Sequence, residues 1–473
     1  MSLQGYTFNP TILREYDIRG QIGKSLSAED AYALGRAYGS FVKRETGGHV
    51  ICVGYDGRHS SPELKAALIK GLMEVGSIVK ETGLGPTPQL YFAVKHLKAD
   101  AGVMVTGSHN PSDYNGFKMC LQSAPVFGEL IQQIGRIASA GDFETGESGG
   151  AHEVLDIRDE YTARLLQDLD ESQRSFNIAW DGGNGAAGEI MRRLSVQLPG
   201  THHLIYDEID GDFPNHHPDP TVDKNLVDLI EVVRREGCDF GVAFDGDGDR
   251  IGVVDNNGKV IRCDILMTLY ARDVLETHHG APVIGDIKCS GVMFEEIARM
   301  GGQPVMWKTG HSLIKDKMRE LNAPLAGELS GHIFFADRYY GYDDALYCVI
   351  RLINAMAKSG GKSLSELTAH LNNLHSTPEI RFEVEEVEKF DLVPRIFENL
   401  KALRQSNPDI AINDIDGVRV STQDGWWLVR PSNTQSVLVA RAESPTEAGL
   451  ERLKSMACSQ VEKIGYNLDF SKP

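Results

Sequence analysis

Residues 51–76 read ICVGYDGRHSSPELKAALIKGLMEVG. A short apolar run ends at Asp56, a polar loop follows, and apolar residues then recur at helical spacing. This pattern predicts a strand, a loop and a helix. The same design returns at residues 176–194, FNIAWDGGNGAAGEIMRRL, and at residues 282–302, PVIGDIKCSGVMFEEIARMGG, with Asp181 and Asp286 in the place of Asp56. Some 40 to 65 residues after each start comes a second apolar run ending in a polar loop: ADAGVMVTGSHNP at 99–111, CDFGVAFDGDGDR at 238–250 and APLAGELSGH at 323–332. A unit repeated three times is predicted, each copy offering one chemically distinctive loop from the same topological place. Ligands of α/β sheets bind beyond the carboxyl ends of the strands, so the three loops can face one cleft.

Beyond residue 373 the pattern changes to short strands around Gln423-Asp424-Gly425 and a helical stretch from Thr446. The expected architecture is three similar mixed-sheet α/β domains plus a C-terminal α+β domain around a central cleft. Boundaries are expected at 1–155, 156–259, 260–373 and 374–473. A length of 473 residues agrees with several cores rather than one.

Composition narrows the function. A net charge of −19 argues against a nucleic-acid partner, which demands a basic surface. A local basic cluster in a cleft still suits a small phosphorylated substrate. No stretch approaches the ~20 apolar residues of a membrane span, and the first ten residues do not read as a secretory signal. Seven scattered cysteines with no C-x-x-C spacing argue against a disulfide framework or a structural zinc site, and for a reducing cytoplasm.

The loops carry the chemistry. In Asp245-Gly-Asp247-Gly-Asp249-Arg250, three carboxylates alternate with glycines after the run FGVAF, an arrangement suited to a hard divalent cation. Without a cation such crowded acids repel one another, which favours metal over an ordinary Asp/Gly turn. An EF-hand needs Gly at the position of Arg250 and Glu at Asn256, so that alternative fails. Thr106-Gly107-Ser108-His109-Asn110-Pro111 lacks the G-x-S-x-G elbow of an esterase; its serine is either a phosphoryl carrier or part of a plain turn. Arg430-Pro431-Ser432-Asn433-Thr434 is either a phosphate cradle or a solvated strand connection. Glu328-Leu329-Ser330-Gly331-His332 offers an acceptor, a hydroxyl and an imidazole to a polyhydroxylated ligand, and is weak alone.

Two other motifs point elsewhere. Gly183-Asn184-Gly185-Ala186-Ala187-Gly188, with Asp207 downstream, is formally a dinucleotide fingerprint. It ranks second, because the same strand–Asp–loop–helix unit recurs twice without those glycines. Gly361-Lys362-Ser363 resembles the end of a Walker A loop, but Met356 stands where the first glycine belongs.

In order, REYDIRG (14–20), TGSHNP, DGDGDR, DIKCS (286–290), WKTGHSLIK (307–315), GELSGH and RPSNTQ (430–435) resemble the motifs of the alpha-D-phosphohexomutase superfamily, closely its bacterial phosphomannomutase/phosphoglucomutase branch. The resemblance spans essentially the whole chain and implies four domains around one cleft. It implies phosphoryl transfer between C1 and C6 of mannose or glucose phosphate, through a phosphoserine at Ser108 and a hexose 1,6-bisphosphate. Ser108, once phosphorylated, would hold Mg²⁺ with Asp245, Asp247 and Asp249. Tyr16, Arg19, His109, Lys118 and Arg250 would surround the transferring phosphate, and Lys288 and His311 would line the third domain's substrate surface. The loop of Glu328, Leu329, Ser330, Gly331 and His332 would hold sugar hydroxyls. Arg430, Ser432, Asn433 and Thr434 would hold the phosphate that does not react. The general base is expected to be Lys118, if other cations lower its pKa, or else His332. Leu329 stands where the branch usually has Met and amino-sugar mutases a polar residue, which argues against an amino-sugar substrate. Sugar phosphates are the implied partners, with no nucleic acid, membrane or obligate protein partner.

Overall fold

The computed structural model describes residues 4–471 except 123, 147–148, 171–173, 372–373, 386–387, 407–408 and 433–436, with backbone alone for 402–406. In the first unit the strands are β1 (Ile18–Gln21), β2 (Val50–Tyr55), β3 (Ile78–Leu84), β4 (Ala101–Val105), β5 (Tyr114–Leu121) and β6 (Ala151–Val154), in the order β1-β5-β4-β2-β3-β6. The second contains β7 (Phe176–Asp181), β8 (Gly200–Ile205), β9 (Phe240–Phe244), β10 (Ile251–Asp255) and β11 (Val260–Ile261), ordered β11-β10-β9-β7-β8. The third contains β12 (Pro282–Asp286), β13 (Gln303–Trp307), β14 (Leu325–Gly327) and β15 (Ile333–Phe335), ordered β13-β12-β14-β15.

One four-strand core is common to all three: β5-β4-β2-β3, β10-β9-β7-β8 and β15-β14-β12-β13. In each core three strands run parallel and the last is antiparallel. Being covered on both faces by helices, the central strands are continuously apolar and buried, as in AGVMV and FGVAF. The repeated aspartate has a local role. Its side chain accepts the backbone N–H two residues on: Asp56 from Arg58 N at 3.1 Å, Asp181 from Gly183 N at 2.9 Å and Asp286 from Lys288 N at 3.0 Å. The three turns between strand and helix are thus built alike.

The remaining sheet is antiparallel, with strands β16 (His375–Ser376), β17 (Ile380–Glu383), β18 (Ala411–Asn413), β19 (Val418–Thr422), β20 (Gly425–Pro431) and β21 (Val437–Ser444). Its path is β16-β21-β20-β19-β18, with β17 also on β21. Helices Lys389–Ser406 and Glu447–Glu462 accompany this sheet, the latter capped by Thr446. One apolar core runs through parts of the first three units, joining Phe92, Trp180, Phe244, Tyr270 and Tyr347. The last unit has its own core around Trp427, and meets the third through a small cluster of Ile287, Trp426 and Leu428. A polar latch adds to that contact: Arg419, stacked on Trp426, donates to the carbonyls of Ile287 (2.5 Å) and Cys289 (2.7 Å).

Among the described residues all seven cysteines are free, and no helix is long and apolar enough to cross a membrane.

Candidate active site

The loops β4–β5, β9–β10 and β14–β15 are equivalent in the three cores, and they converge. Ser108 sits between β4 and β5 with φ +48°, a left-handed conformation rare for a residue with a Cβ. The surrounding structure holds it there. Asp56 accepts from Thr106 Oγ1 (2.8 Å) and Gly107 N (3.1 Å). The buried Arg58 guanidinium donates to the carbonyls of Ser108 (2.7 Å), Asn110 (2.6 Å), Pro111 (2.5 Å) and Tyr114 (3.0 Å), and to Asp56 Oδ2 (3.1 Å). Arg19 braces the same loop through Asn110 Oδ1 (2.6 Å) and Gly107 O (3.2 Å) and is itself paired with Asp17.

This bracing aims Ser108 Oγ at the second unit's loop, where it donates to Asp245 Oδ2 at 3.0 Å. His109 Nδ1 lies 3.2 Å from the same hydroxyl. Burial, with Arg250, Arg19 and Lys118 nearby, holds the His109 pKa well below its ordinary value, so its imidazole is neutral. The two loops touch so closely that a Cβ on Gly246 would lie 2.4 Å from the Ser108 carbonyl oxygen.

Asp245, Asp247 and Asp249 are buried, and each places a carboxylate oxygen within 4.8 Å of the others. Backbone amides of Asp249 and Arg250 fold back onto Asp245 Oδ1, both at 3.1 Å. Asp247 Oδ1 and Asp249 Oδ1 are buried and accept no hydrogen bond among the described residues, although His332 Nε2 lies 3.2 Å from the latter. Buried carboxylate oxygens without donors are costly. The set therefore forms a buried acidic cluster able to hold a metal ion. Burial and the neighbouring acids push the Asp245 pKa well above the carboxylate range. For Asp249 burial acts the same way, but Lys118 and His332 outweigh it and hold the pKa well below that range.

The expectation that nearby cations lower the Lys118 pKa is not met. Its nearest neighbours are acids: Nζ is 2.7 Å from Asp247 Oδ2 and is also paired with Asp249. Burial favours the neutral amine, but these carboxylates overcome it and raise the pKa above that of an ordinary lysine. His332 is similar. Its Nδ1 is 2.8 Å from Glu328 Oε2, its Nε2 faces Asp249 Oδ1, and the Arg250 Nε lies 3.3 Å away. Burial lowers its pKa, yet the acids prevail and raise it to about 9.

Glu328 spends both oxygens within the protein, Oε1 accepting from Gly310 N at 2.6 Å. Ser330 Oγ lies 3.3 Å from His332 Nδ1, and Leu329 packs, partly buried, on the apolar core. Gly331 has φ +97° and its absent Cβ would meet Ile251 O at 2.8 Å. Tyr16 OH donates to Thr309 O at 2.8 Å, with its ring edge-on to His311 at 6.0 Å. Burial and the Lys315 charge hold His311 neutral.

At the other end, Lys288 Nζ is 3.1 Å from Glu379 Oε2 and 3.8 Å from Asp286. Arg430 is buried and paired with Asp416, Nε to Oδ2 at 3.0 Å and a terminal nitrogen to Oδ1 at 3.2 Å. Asp416 Oδ2 also accepts Thr309 N at 2.9 Å, so one hydrogen-bonded chain links Tyr16, Thr309, Asp416 and Arg430 across three units. Ser432 is buried; Asn433 and Thr434 lie outside the described residues.

Ser108, His109, Arg19, Lys118, the three aspartates, Arg250 and His332 thus form one network, with Tyr16 and His311 beside it. Sequence reasoning missed Arg58, Asp416 and Glu379. The repeated aspartate was the only available pointer to Arg58. The glycine-rich loop is explained by packing: a Cβ on Gly185 would crowd Asp245 O and Gly246 at 3.0 Å, and one on Gly188 would lie 2.1 Å from Asp207 O. Ser363 of the Walker-like stretch caps helix Leu364–Thr368.

Three repeats of one mixed sheet, with a serine meeting an acidic triad among basic side chains, define a phosphoryl-transfer enzyme of four-domain type. The phosphoglucomutase/phosphomannomutase family matches throughout: alpha/beta/alpha domain I over residues 10–145, domain II over 159–258, domain III over 262–374 and the C-terminal domain over 379–460. A phosphomannomutase/phosphoglucomutase of Pseudomonas aeruginosa is 43% identical over 462 residues, 98% of each chain. A phosphoglucomutase of Neisseria gonorrhoeae is 40% identical over 95% of this chain and 96% of its own. The crystal structure of a family protein from Burkholderia thailandensis superposes with a TM-score of 0.90 at 40% identity, covering 98% of this chain and 100% of that one. The chain belongs to the phosphoglucomutase/phosphomannomutase family of the alpha-D-phosphohexomutase superfamily. Its activity is that of an isomerase, reversibly moving a phosphoryl group between C1 and C6 of a hexose phosphate.

Proposed function

We propose that Ser108 Oγ carries the phosphoryl group, and that the four units divide at 1–155, 156–259, 260–373 and 374–473, each bringing one part of the site. The observation that carries this reading is the 3.0 Å contact between Ser108 Oγ and Asp245 Oδ2, which brings the braced serine loop onto the acidic loop. Asp245, Asp247 and Asp249 would hold Mg²⁺ with the serine phosphate, and the ion would neutralise charge on the transferring group. Their orphaned oxygens support the assignment.

The chain's own residues do the rest. Arg19, Arg250 and Lys118 neutralise and orient the phosphoryl oxygens, since this chemistry depends on positioning and electrostatics more than on covalent steps. His109 stays neutral beside Oγ and orients it. Of the two candidate proton acceptors, His332 is favoured. The geometry favours it: Glu328 fixes its ring at Nδ1 and leaves Nε2 turned toward the acidic loop. Because Glu328 already accepts two hydrogen bonds, we assign it to orienting His332 as well as to bordering the sugar, together with Leu329, Ser330 and Gly331.

Lys288, Arg430 and Ser432, with Asn433 and Thr434, would bind the phosphate that is not reacting, while Tyr16 and His311 line the path between. Transfer from Ser108 to a hexose 6-phosphate or 1-phosphate gives a hexose 1,6-bisphosphate, which must turn so that its other phosphate returns to Ser108. Glucose and mannose phosphates are the substrates we assign. The test is treatment of purified protein with glucose 1,6-bisphosphate and mapping of the modified residue. Modification at Ser108, its loss in Ser108→Ala, and retention of that variant's circular dichroism are expected. Turnover by Ser108→Ala at the parent rate would overturn the reading.

A further inference from the structure

Between the first and third units lies a cavity of about 340 Å³. One wall is the end of β5 and helix Thr87–His96; the other is helix His311–Leu321 and the turn at Tyr340–Tyr342. It meets the reaction site at Tyr16, Lys118 and His311. Ser108, the acidic triad, Arg250, Glu328, Lys288 and Arg430 do not line it. From Lys118 and His311 it extends to Gln122 and Asn322, the length of an eleven-residue helix, about 16 Å.

The lining is charged in one sense. Lys95, Lys118, Lys315 and Arg319 contribute cations, and no aspartate or glutamate lines the cavity. Lys315 is bonded to Asp343 at 2.9 Å and Arg319 is paired with Asp316. Lys95 has no carboxylate partner among the described residues. Burial lowers its pKa, Cys120 opposes this, and the Arg319 charge lowers it further. Lys95 of the first unit and Arg319 of the third thus reach the same space, Lys95 half-buried and Arg319 exposed and paired with Asp316, and an anion placed there is attracted by both. The rest of the lining mixes Tyr91, Tyr342, Met119 and Met318 with polar Gln122 and Asn322. The volume suits one mononucleotide-sized ligand rather than a dinucleotide.

We propose that this cavity binds an organic phosphate with a flat ring, chemically a nucleoside monophosphate, its phosphate between Lys95 and Arg319 and its ring against Tyr91, Tyr342 and Met318. Aromatic side chains accept any base by stacking, so the cations set the affinity and the base contributes little selectivity. The occupant lies against Lys118 and His311, which line both the cavity and the reaction site and so couple the two.

Calorimetric titration of the full chain with AMP and with GMP, in saturating glucose 6-phosphate, tests this. One site per chain is expected. Affinity should fall tenfold or more in the Lys95→Glu/Arg319→Glu double variant and be kept in Lys95→Arg. Ribose 5-phosphate, which lacks the ring, and adenosine, which lacks the phosphate, should each bind at least tenfold more weakly than AMP. Lys95→Met should melt no lower than the parent, because its ammonium has no carboxylate to lose. Absence of nucleotide binding, equal affinity in the double variant, displacement by glucose 6-phosphate, or ribose 5-phosphate binding as tightly as AMP would each overturn the proposal.

Discussion

Replacing Arg58 by Lys tests whether Ser108 is held in place by five hydrogen bonds or merely by local sequence. The guanidinium uses all five N–H groups, on Asp56 and on the carbonyls of Ser108, Asn110, Pro111 and Tyr114. Lysine keeps the charge but has three donors, so at least two of those acceptors lose their partner. An unpaired buried acceptor costs roughly 1–3 kcal/mol, and water can reach the partly buried ones, so about 2–4 kcal/mol of local stability should be lost. By hydrogen exchange this is a loss of protection of roughly thirtyfold or more for amides 106–116, at about 1.4 kcal/mol per factor of ten. A loop freed to shift by about 1 Å should lower kcat on the order of a hundredfold, with a smaller change in KM. Exchange mass spectrometry and steady-state kinetics on glucose 1-phosphate measure both. Parent-like protection together with parent-like turnover would show that Thr106–Pro111 holds its conformation unaided, and the argument for Arg58 would fail.

Arg430→Ala should raise KM roughly tenfold to a hundredfold for glucose and mannose 1-phosphates alike, since a charge-assisted phosphate contact is worth roughly 1.5–3 kcal/mol; kinetics on both sugars would expose any change in sugar preference, which this reasoning forbids. Gly246→Ala should inactivate while leaving the fold intact, because the added Cβ meets Ser108 O at 2.4 Å, and loss of glucose 1,6-bisphosphate-dependent phosphorylation at Ser108 is the readout. A fourth prediction concerns pH. Burial raises the Asp344 pKa to about 7 despite hydrogen bonds from Tyr347 N, Tyr339 and Tyr161. A carboxyl with a raised folded-state pKa contributes stability that is fully present below its unfolded pKa, near 4, and is lost as pH rises through 7. Relative to Asp344→Asn, which keeps the helix cap but cannot ionise, the parent should therefore lose melting temperature between pH 5 and pH 8; parallel curves across that range would refute the assignment.

The strand–Asp–loop–helix repeat was legible in the sequence because each part is a local signal. Apolar runs alternate with polar loops, and an aspartate closes a turn two residues on whatever lies beyond it. The same is true of the acidic triad, whose three side chains and intervening glycines are contiguous, and of the C-terminal strands around Gln423-Asp424-Gly425. Sequence by itself therefore determined the number and kind of units, their loops, and the residue types that chemistry could use. Tertiary structure decided the electrostatic state of those residues. Lys118 is paired with acids 129 and 131 positions away, so its pKa rises where cationic neighbours were expected to lower it. The oxygens of Glu328 are taken by Gly310 and His332, and Arg430 is joined through Asp416 to the third unit's Thr309. A side chain's identity is set by its codon, but its charge state depends on the fields and hydrogen bonds around it. Here those come from chain segments brought together only when four sheets pack around one cleft.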